Sequence, residues 1–364
     1  MDQTDRQYAS QRGRGREADK PAAIPLAGWK DILWRLYRAI NEDRILLTAA
    51  GTTFYLLMSL VPTLSAFVSV YGLFNDPVSV VRHVDLLAGI VPPGVLDILR
   101  DQLTRLTSQS DGALGIALVI SLSVAIWSAS AGVKAMFEAM NIAYHEKERR
   151  SFLMLNGLAL LFTVGGSLAA LLVTTVVVIL PAVLSLLAIG EGYEWMIRIA
   201  ADGAMLLMLT LGVAALYRWG PCREQAKWRW VTPGAVLSVL ALGGTSILFS
   251  WYVTNFADDN ATYGSLGAVI GLMVWLWISA TITIAGAELN SEIEHQTAVD
   301  STTGAAKPLG TRGATMADTV GRVWPPDRDG VETKPTHNGT VSFGSLLIAL
   351  PAAAALILAT RKRK

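Results

Sequence analysis

Six long stretches of the chain contain no aspartate, glutamate, lysine or arginine, and polar segments separate them. They cover residues 45–75, 112–133, 151–190, 203–217, 230–257 and 260–287. An α-helix needs about 20 mostly apolar residues to cross the hydrocarbon core of a bilayer, and most of these stretches reach that length. Inside lipid, each backbone polar group must find its partner within the segment, so apolar runs of this length form helices. The pattern predicts an all-α, polytopic membrane helical bundle.

The third stretch, residues 151–190, is too long for one crossing and barely long enough for two. Positive charge decides between these interpretations, because short cytoplasmic loops of membrane proteins are rich in lysine and arginine. With one crossing, the basic loops 141–151 and 218–230 share a side with the basic N-terminus, while loops 188–194 and 253–265 contain no lysine or arginine. We therefore predict a cytoplasmic N-terminus and six spans. The spans lie near residues 47–74, 113–136, 152–180, 195–217, 231–253 and 264–287.

The sequence outside the six spans predicts further structural elements. Residues 1–28 are charged and poor in apolar side chains, which predicts a disordered basic tail. Residues 29–44 predict an amphipathic helix, either on the membrane surface or packed on another cytoplasmic segment. Residues 75–112 predict a small extracytoplasmic cap. After the last span we predict a disordered linker over 296–342 and a seventh hydrophobic helix with a basic end over 343–364, and whether it crosses the membrane is left open.

Composition agrees with a membrane protein, since 52% of the residues are hydrophobic and only 16% are charged. The net charge of +1 gives no reason to expect nucleic acid as a partner. Cys222 is the single cysteine. The four histidines are isolated, without the HxH or HExxH spacing of metal sites; they are His83, His145, His295 and His337. We therefore predict no catalytic site, no metal site and no cofactor, and we do not expect ribonuclease activity.

Three blocks of the sequence resemble a known family. They are TAAGTTFYLLMSLVP, IWSASAGVKAMFEAMNIAYHEKERRSF, and a long block that begins TPGAVLSVLALGGTSILFSWYVTNF and ends ITIAGAELNSEIE. These blocks are similar to the YihY/BrkB family of bacterial inner-membrane proteins, and the resemblance covers residues 29–295. It implies a six-helix integral membrane domain in the bacterial cytoplasmic membrane. An older label of the family as ribonuclease BN is generally regarded as mistaken, so the resemblance implies no nuclease.

Two groups of polar residues lie where spans two and six approach the cytoplasm. Lys134 and Glu138 are four residues apart, on one face of a helix, and Glu288 and Asn290 close span six at a similar depth. They are candidates for a polar pathway, or for an ionic latch in which Glu288 meets Lys134. The alternative is that Lys134 and Glu138 mark the point where the helix leaves the lipid, with side chains that reach water by snorkelling.

Arg198 and Asp202 form a second candidate pair. The uncharged part of span four, residues 203–217, is too short to cross a bilayer alone, so the helix must draw this pair into the membrane. Charges at such depth often face the bundle interior and mark a pathway. The alternative is an ion pair at the outer interface.

Small residues and one proline are candidates for helix packing or for hinges. Gly267 and Gly271 form a GxxxG pattern in span six, and Ser128 and Gly132 repeat the spacing in span two. Such residues let two helices approach closely. Pro62 lies near the middle of span one, where it predicts a kink.

These features lead to two functional hypotheses. In the first, the protein transports, or helps to transport, a lipid or small solute across the cytoplasmic membrane, with membrane lipids as its surroundings. In the second, it is a non-transporting envelope scaffold or a virulence accessory protein. The substrate is not specified by the sequence, and neither is assembly into a homo-oligomer.

Overall fold

The computed structural model describes residues 8–72, 114–186, 191–256 and 264–324. The predicted cap over 75–112 and the seventh helix over 343–364 lie outside the described residues. Eight α-helices occur in the described part of the chain. They are α1 Leu26–Glu42, α2 Ile45–Gly72, α3 Leu114–Ala143, α4 Phe152–Leu186, α5 Glu191–Trp219, α6 Trp228–Phe256, α7 Gly264–Gln296 and α8 Thr315–Asp318. These residues form no β-strand, so the all-α prediction is confirmed.

Helices α2 to α7 each coincide with one of the six predicted spans. By length and composition, four stretches of the described helices are able to cross a membrane. They are Phe152–Val173 in α4, Ile199–Trp219 in α5, Trp228–Tyr252 in α6 and Val269–Gln296 in α7. Helix α2 adds a shorter apolar stretch, Ile45–Ser59. The membrane class is therefore confirmed, and the count of six crossings stays a prediction.

Three prolines lie within long helices: Pro62 in α2, Pro181 in α4 and Pro233 in α6. Helix α4 continues past Pro181 to Leu186, so it is a single helix of 35 residues that extends beyond the predicted end at residue 180. Prolines are tolerated in membrane helices because neighbouring groups satisfy the freed backbone carbonyl. Pro62 lies inside α2, which is helical from residue 45 to residue 72. The kink predicted at Pro62 stays a prediction.

Helix α7 contacts five other helices of the bundle. It packs against α1, α2, α3, α6 and α8, while α2 to α6 each pack against the next helix in the sequence. The buried core lies at one end, which we call the base and define as residues 31–49, 137–150, 213–235 and 280–302. The largest fully buried side chains include Trp230, Tyr144, Tyr217 and Phe137, and all four belong to the base. This is the end that the charge pattern predicts to be cytoplasmic.

Two segments that we predicted to be disordered are ordered beside the base in the structure. They are residues 8–28 and 297–324, and their order differs from the predicted tail and linker. Arg16, which is 2% exposed, donates hydrogen bonds to the carbonyls of Gln296 and Gly321. Arg312 donates to the carbonyls of Ala298 and Ala317. These segments are held by hydrogen bonds from buried arginines and by a few buried apolar side chains, among them Ile24, Met316 and Val323. A composition argument does not detect such contacts.

Helix α1 is amphipathic, and its buried face is turned towards α7. Ile32 and Asp31 are fully buried, and Arg35 is 6% exposed. Leu33 and Tyr37 are more than half exposed on the opposite side. Of the two alternatives that the sequence left open, the structure shows packing on another segment of the protein.

Candidate functional site

The last turns of α7 are polar on several sides of the helix and are nevertheless buried. The polar residues with at most 5% exposure there are Glu288, Asn290, Ser291, Glu292, Glu294 and Gln296. A buried charge or amide without a partner costs several kcal/mol in lost hydration, so each of these groups requires a partner from another segment. The end of α7 therefore connects many parts of the base.

Arg35 of α1 binds one side of this helix. Its Nε donates to Oε2 of Glu292 at 2.5 Å, and its Nη2 donates to Oε1 of Gln296 at 2.8 Å. Its Nη1 donates to the carbonyl of Arg322 at 2.7 Å. One guanidinium thus joins α1, α7 and the segment after α7.

Arg223, from the loop between α5 and α6, binds another side. Its Nη1 and Nη2 donate to the two carboxylate oxygens of Glu294 at 3.0 and 2.7 Å, and both side chains are fully buried. The guanidinium also lies 4.1 Å from the ring centroid of Tyr144. Such a bidentate pair combines charge with fixed geometry. Ser301 donates a further hydrogen bond to Glu294 at 2.8 Å.

Asn290 joins α7 to the first turns of α6. Its Nδ2 donates to the carbonyl of Val231 at 2.8 Å, and its Oδ1 accepts from the backbone N–H of Gly234 at 2.7 Å. Asn290 was a candidate for a polar pathway, and the structure uses both ends of its amide for helix contacts.

Lys134 belongs to α3, and its side chain contacts α4. Its Nζ donates to Oδ1 of Asn156 at 2.9 Å and lies 5.4 Å from the ring centroid of Trp127. Among the described residues, no carboxylate forms an ion pair with it. Glu138 is exposed on the same helix. Glu288 lies beside Asp43 and His145 and not beside Lys134, so the predicted latch between Lys134 and Glu288 does not form.

Glu288 instead faces Asp43 and His145. One ligand atom from each of the three side chains lies within 4.8 Å of the other two. Nε2 of His145 is 3.2 Å from Oδ2 of Asp43, and the hydrogen bond between them raises the pKa of His145. Glu288 is fully buried, and within the described part of the chain no hydrogen-bond donor reaches either of its carboxylate oxygens. The cluster thus places a buried carboxylate next to an imidazole and a second carboxylate.

The pair Arg198 and Asp202 lies in α5. Asp202 is exposed on the surface of that helix. The side chain of Arg198 lies outside the described part of the structure. A pathway at this pair stays a prediction.

The small residues differ in how tightly they are packed. Gly132 contacts α2 closely, because a Cβ at this position would lie 2.6 Å from Oγ of Ser59. Ser128 is half-buried on the same helix. Gly271 has room, since the nearest atom to an added Cβ is 3.9 Å away, and Gly267 is described only as part of the α7 backbone. Hinge motion at these positions and at Pro62 stays a prediction.

Sequence reasoning missed the tightest helix contact and the three-residue cluster. A Cβ on Gly234 would lie 2.1 Å from the carbonyl oxygen of Gly286, so α6 and α7 touch through their backbones. Neither glycine belongs to a GxxxG pattern. Asp43 and His145 are single residues in separate loops, and only the fold brings them to Glu288.

Comparisons of the sequence with known proteins indicate one family. The sequence model of the virulence factor BrkB family matches residues 36–309. A protein of Bacillus subtilis (strain 168) named ribonuclease-like protein YfkH is 28% identical over 259 residues, which cover 67% of this chain and 88% of the relative. The UPF0761 membrane protein NMB0524 of Neisseria meningitidis serogroup B is 26% identical over 72% of this chain, and the match spans 63% of that relative, less than two thirds of its length. No solved structure matches the chain at a significant level.

Proposed function

The chain belongs to the virulence factor BrkB family of membrane proteins, and from this premise we propose that it transports, or helps to transport, a lipid or small solute across the bacterial cytoplasmic membrane. In this proposal the base lies in the cytoplasm, together with the N-terminus. The transported molecule carries a negative charge where it meets the protein.

The state of Lys134 is the observation that carries this proposal. The residue is nine positions before the end of α3, which corresponds to about 13 Å along a helix axis at 1.5 Å per residue. Its ammonium group contacts an amide oxygen and an aromatic ring, and among the described residues it has no carboxylate partner. A cation so far along an apolar helix is costly, and such residues commonly mark the path of a substrate. An anionic headgroup or solute supplies the missing negative charge.

The hydroxyl groups of α2, α3 and α4 do not carry the proposal by themselves. Thr52, Thr53, Ser130 and Thr163 each donate to a carbonyl of their own helix, at distances of 2.6 to 2.9 Å. This is the usual use of hydroxyls in membrane helices. Lys134 and Asn156 are therefore the residues to test first.

Lipid transport is tested with the purified chain in liposomes that contain a fluorescent phosphatidylglycerol or phosphatidylethanolamine. The fraction of fluorescent lipid that a membrane-impermeant quencher reaches with time measures movement between leaflets. We expect wild-type protein to accelerate this movement, with preference for the anionic lipid. Lys134→Met is expected to reduce the rate by at least about tenfold, as for the loss of one close charged contact, and Lys134→Arg is expected to retain part of it.

Lys147→Met is the matched control, since Lys147 is exposed in the loop between α3 and α4. A parallel assay measures release of a trapped anionic dye, and Asp202→Asn is measured in both assays. If wild-type protein moves neither lipid nor solute, and instead co-purifies with a stable partner, the transport proposal is wrong and the scaffold hypothesis is favoured.

A further inference from the structure

We propose that Asp43, His145 and Glu288 form a binding site for a divalent transition-metal ion of the Zn²⁺ or Mn²⁺ class. This site is independent of the proposed transport function and uses neither Lys134 nor Asn156. Its three ligands come from the turn after α1, the turn after α3 and the interior of α7.

The strongest observation is the state of Glu288. Its side chain is fully buried, and no donor among the described residues binds either carboxylate oxygen, although almost every other polar group at the end of α7 is paired. Buried carboxylates are normally bound by arginine, lysine, several N–H groups or a metal ion. Arg35 and Arg223 bind Glu292 and Glu294, and neither binds Glu288. A metal ion is the partner that fits the two other side chains present.

The distances suit metal coordination. One ligand atom of each residue lies within 4.8 Å of the other two, and His145 Nε2 is 3.2 Å from Asp43 Oδ2. Metal bonds of about 2.0–2.2 Å place neighbouring ligand atoms roughly 3.0–3.6 Å apart. The imidazole and Asp43 already have this separation, so a side-chain rotation that brings Glu288 closer by at most about 1–2 Å completes the set of ligands.

The backbone holds the two solvent-side ligands in place. His145 has a φ of 53° and Arg44, the neighbour of Asp43, has a φ of 50°, both in the left-handed region that side-chain-bearing residues seldom adopt. These two residues turn the chain sharply after α3 and α1. The turns aim Asp43 and His145 at the same point beside α7.

Exposure provides a route for the ion. The side chain of His145 is 47% exposed and that of Asp43 is 17% exposed, while Glu288 is fully buried. An ion enters from solvent past His145 and reaches Glu288 at the closed end. Three protein ligands leave at least one coordination position for water or an anion.

The ligand types determine which ion binds. One imidazole nitrogen and two carboxylate oxygens suit Zn²⁺ and Mn²⁺, and Zn²⁺ binds the more tightly of the two at a site of this kind. Mg²⁺ keeps most of its water and prefers oxygen ligands alone. We therefore expect binding of Zn²⁺ ahead of Mn²⁺, with millimolar Mg²⁺ as a poor competitor.

The test is isothermal titration calorimetry of ZnCl₂ and MnCl₂ into the full chain in detergent. The protein is purified without a polyhistidine tag, and chelator is removed before the titration. The expected result is one ion per chain, with affinity reduced by roughly a hundredfold or more in Glu288→Gln and in His145→Gln. Glu42→Gln is the matched control, since that exposed carboxylate is adjacent to Asp43 in the sequence, and it is expected to bind as wild type does.

Thermal unfolding provides a second readout. Zn²⁺ is expected to raise the Tm of wild type and of Glu42→Gln but not that of Glu288→Gln, because only a folded site that binds the ion is stabilised. Glu288→Gln is expected to fold without metal, since it is isosteric and removes a buried carboxylate; if it does not fold, Asp43→Asn takes its place. The proposal is overturned if wild type binds no ion, or if all variants bind Zn²⁺ with the same affinity.

Discussion

The base and the opposite part of the bundle differ in what surrounds their side chains. We call the opposite part the apolar half and define it as residues 157–173, 199–212, 240–252 and 269–275. At the base, Arg223 and Glu294 are fully buried against each other. In the apolar half, Leu207, Leu240 and Ile247 are 60%, 61% and 72% exposed within the single chain. Surrounding lipid covers such side chains in a membrane, so the two parts depend on different partners.

This difference indicates where the fold is specified. Lipid tails are as apolar as leucine, so apolar side chains in the membrane gain little by packing on one another rather than on lipid. At the base, charged side chains are buried inside the protein, and burial of a charge is favourable only when a particular residue is its partner. We infer that the base sets the relative positions of the helices, and three comparisons between variants test this inference.

The largest effect is expected at the buried pair of the base. Arg223→Met leaves the carboxylate of Glu294 buried without its arginine, which we expect to lower the free energy of unfolding by about 3–5 kcal/mol. The double variant Arg223→Met/Glu294→Leu is expected to be less destabilised than the single variant, because it removes both charges. Equilibrium unfolding in mixed micelles measures both values.

Arg38→Ala is the control for this prediction. The ion pair between Arg38 and Glu42 is exposed, with side chains 42% and 56% accessible. Exposed pairs contribute about 0.2–1 kcal/mol, so the control is expected to be nearly neutral. Equal losses for Arg223→Met and Arg38→Ala would contradict a special role for the base.

The second effect compares two glycines in long helices. Gly286→Ala introduces a Cβ that would lie 1.9 Å from Oγ of Ser238 and 2.6 Å from Oη of Tyr217. Overpacking of this kind is expected to cost about 1–3 kcal/mol. In the apolar half, a Cβ on Gly243 meets nothing within 4 Å, so Gly243→Ala is expected to be neutral or to stabilise by up to about 1 kcal/mol.

Unfolding of the two glycine variants under the same detergent conditions checks this prediction. If Gly243→Ala is the more destabilising variant, the apolar half is packed more tightly than the single chain indicates, for example by a second copy.

The smallest effect is a pH dependence in the loop between α3 and α4. Hydrogen bonds from Arg150 lower the pKa of Glu148 from 4.5 to about 2. The folded state therefore favours ionised Glu148, and the stability that this supplies is present above pH 4.5 and is lost as the pH falls towards 2. We expect Glu148→Gln to have a lower Tm than wild type at pH 7, and the difference to shrink between pH 4.5 and pH 2.

Glu138→Gln, at an exposed site of α3, is the control and is expected to follow wild type at each pH. A difference between Glu148→Gln and wild type that stays constant from pH 7 to pH 2 would show that the ionised form is not the stabilising one.

The sequence was sufficient to predict the membrane class and the positions of the long helices. Runs such as residues 230–257 contain no ionisable aspartate, glutamate, lysine or arginine, and a lipid environment permits few structures for such a run, so the helix follows from local composition. Charge bias likewise favoured one crossing in this region, predicted as a helix over residues 152–180, and the structure has a single helix there that continues to Leu186. Boundaries were less accurate where polar turns extended a helix, as in α7, which continues to Gln296.

Only the tertiary structure decided how the polar residues are paired. Lys134 was matched with Glu288 by depth, yet Lys134 contacts Asn156, and Glu288 faces Asp43 and His145. Depth along a helix does not specify the direction in which a side chain points, or which helices are neighbours. The polar composition of residues 1–28 and 296–342 predicts disorder, yet residues 8–28 pack on the base, where Arg16 donates to carbonyls 280 and 305 residues away in the chain. Apolar patterning is a local property and can be read from the chain, whereas the partner of a buried charge is a property of the complete fold.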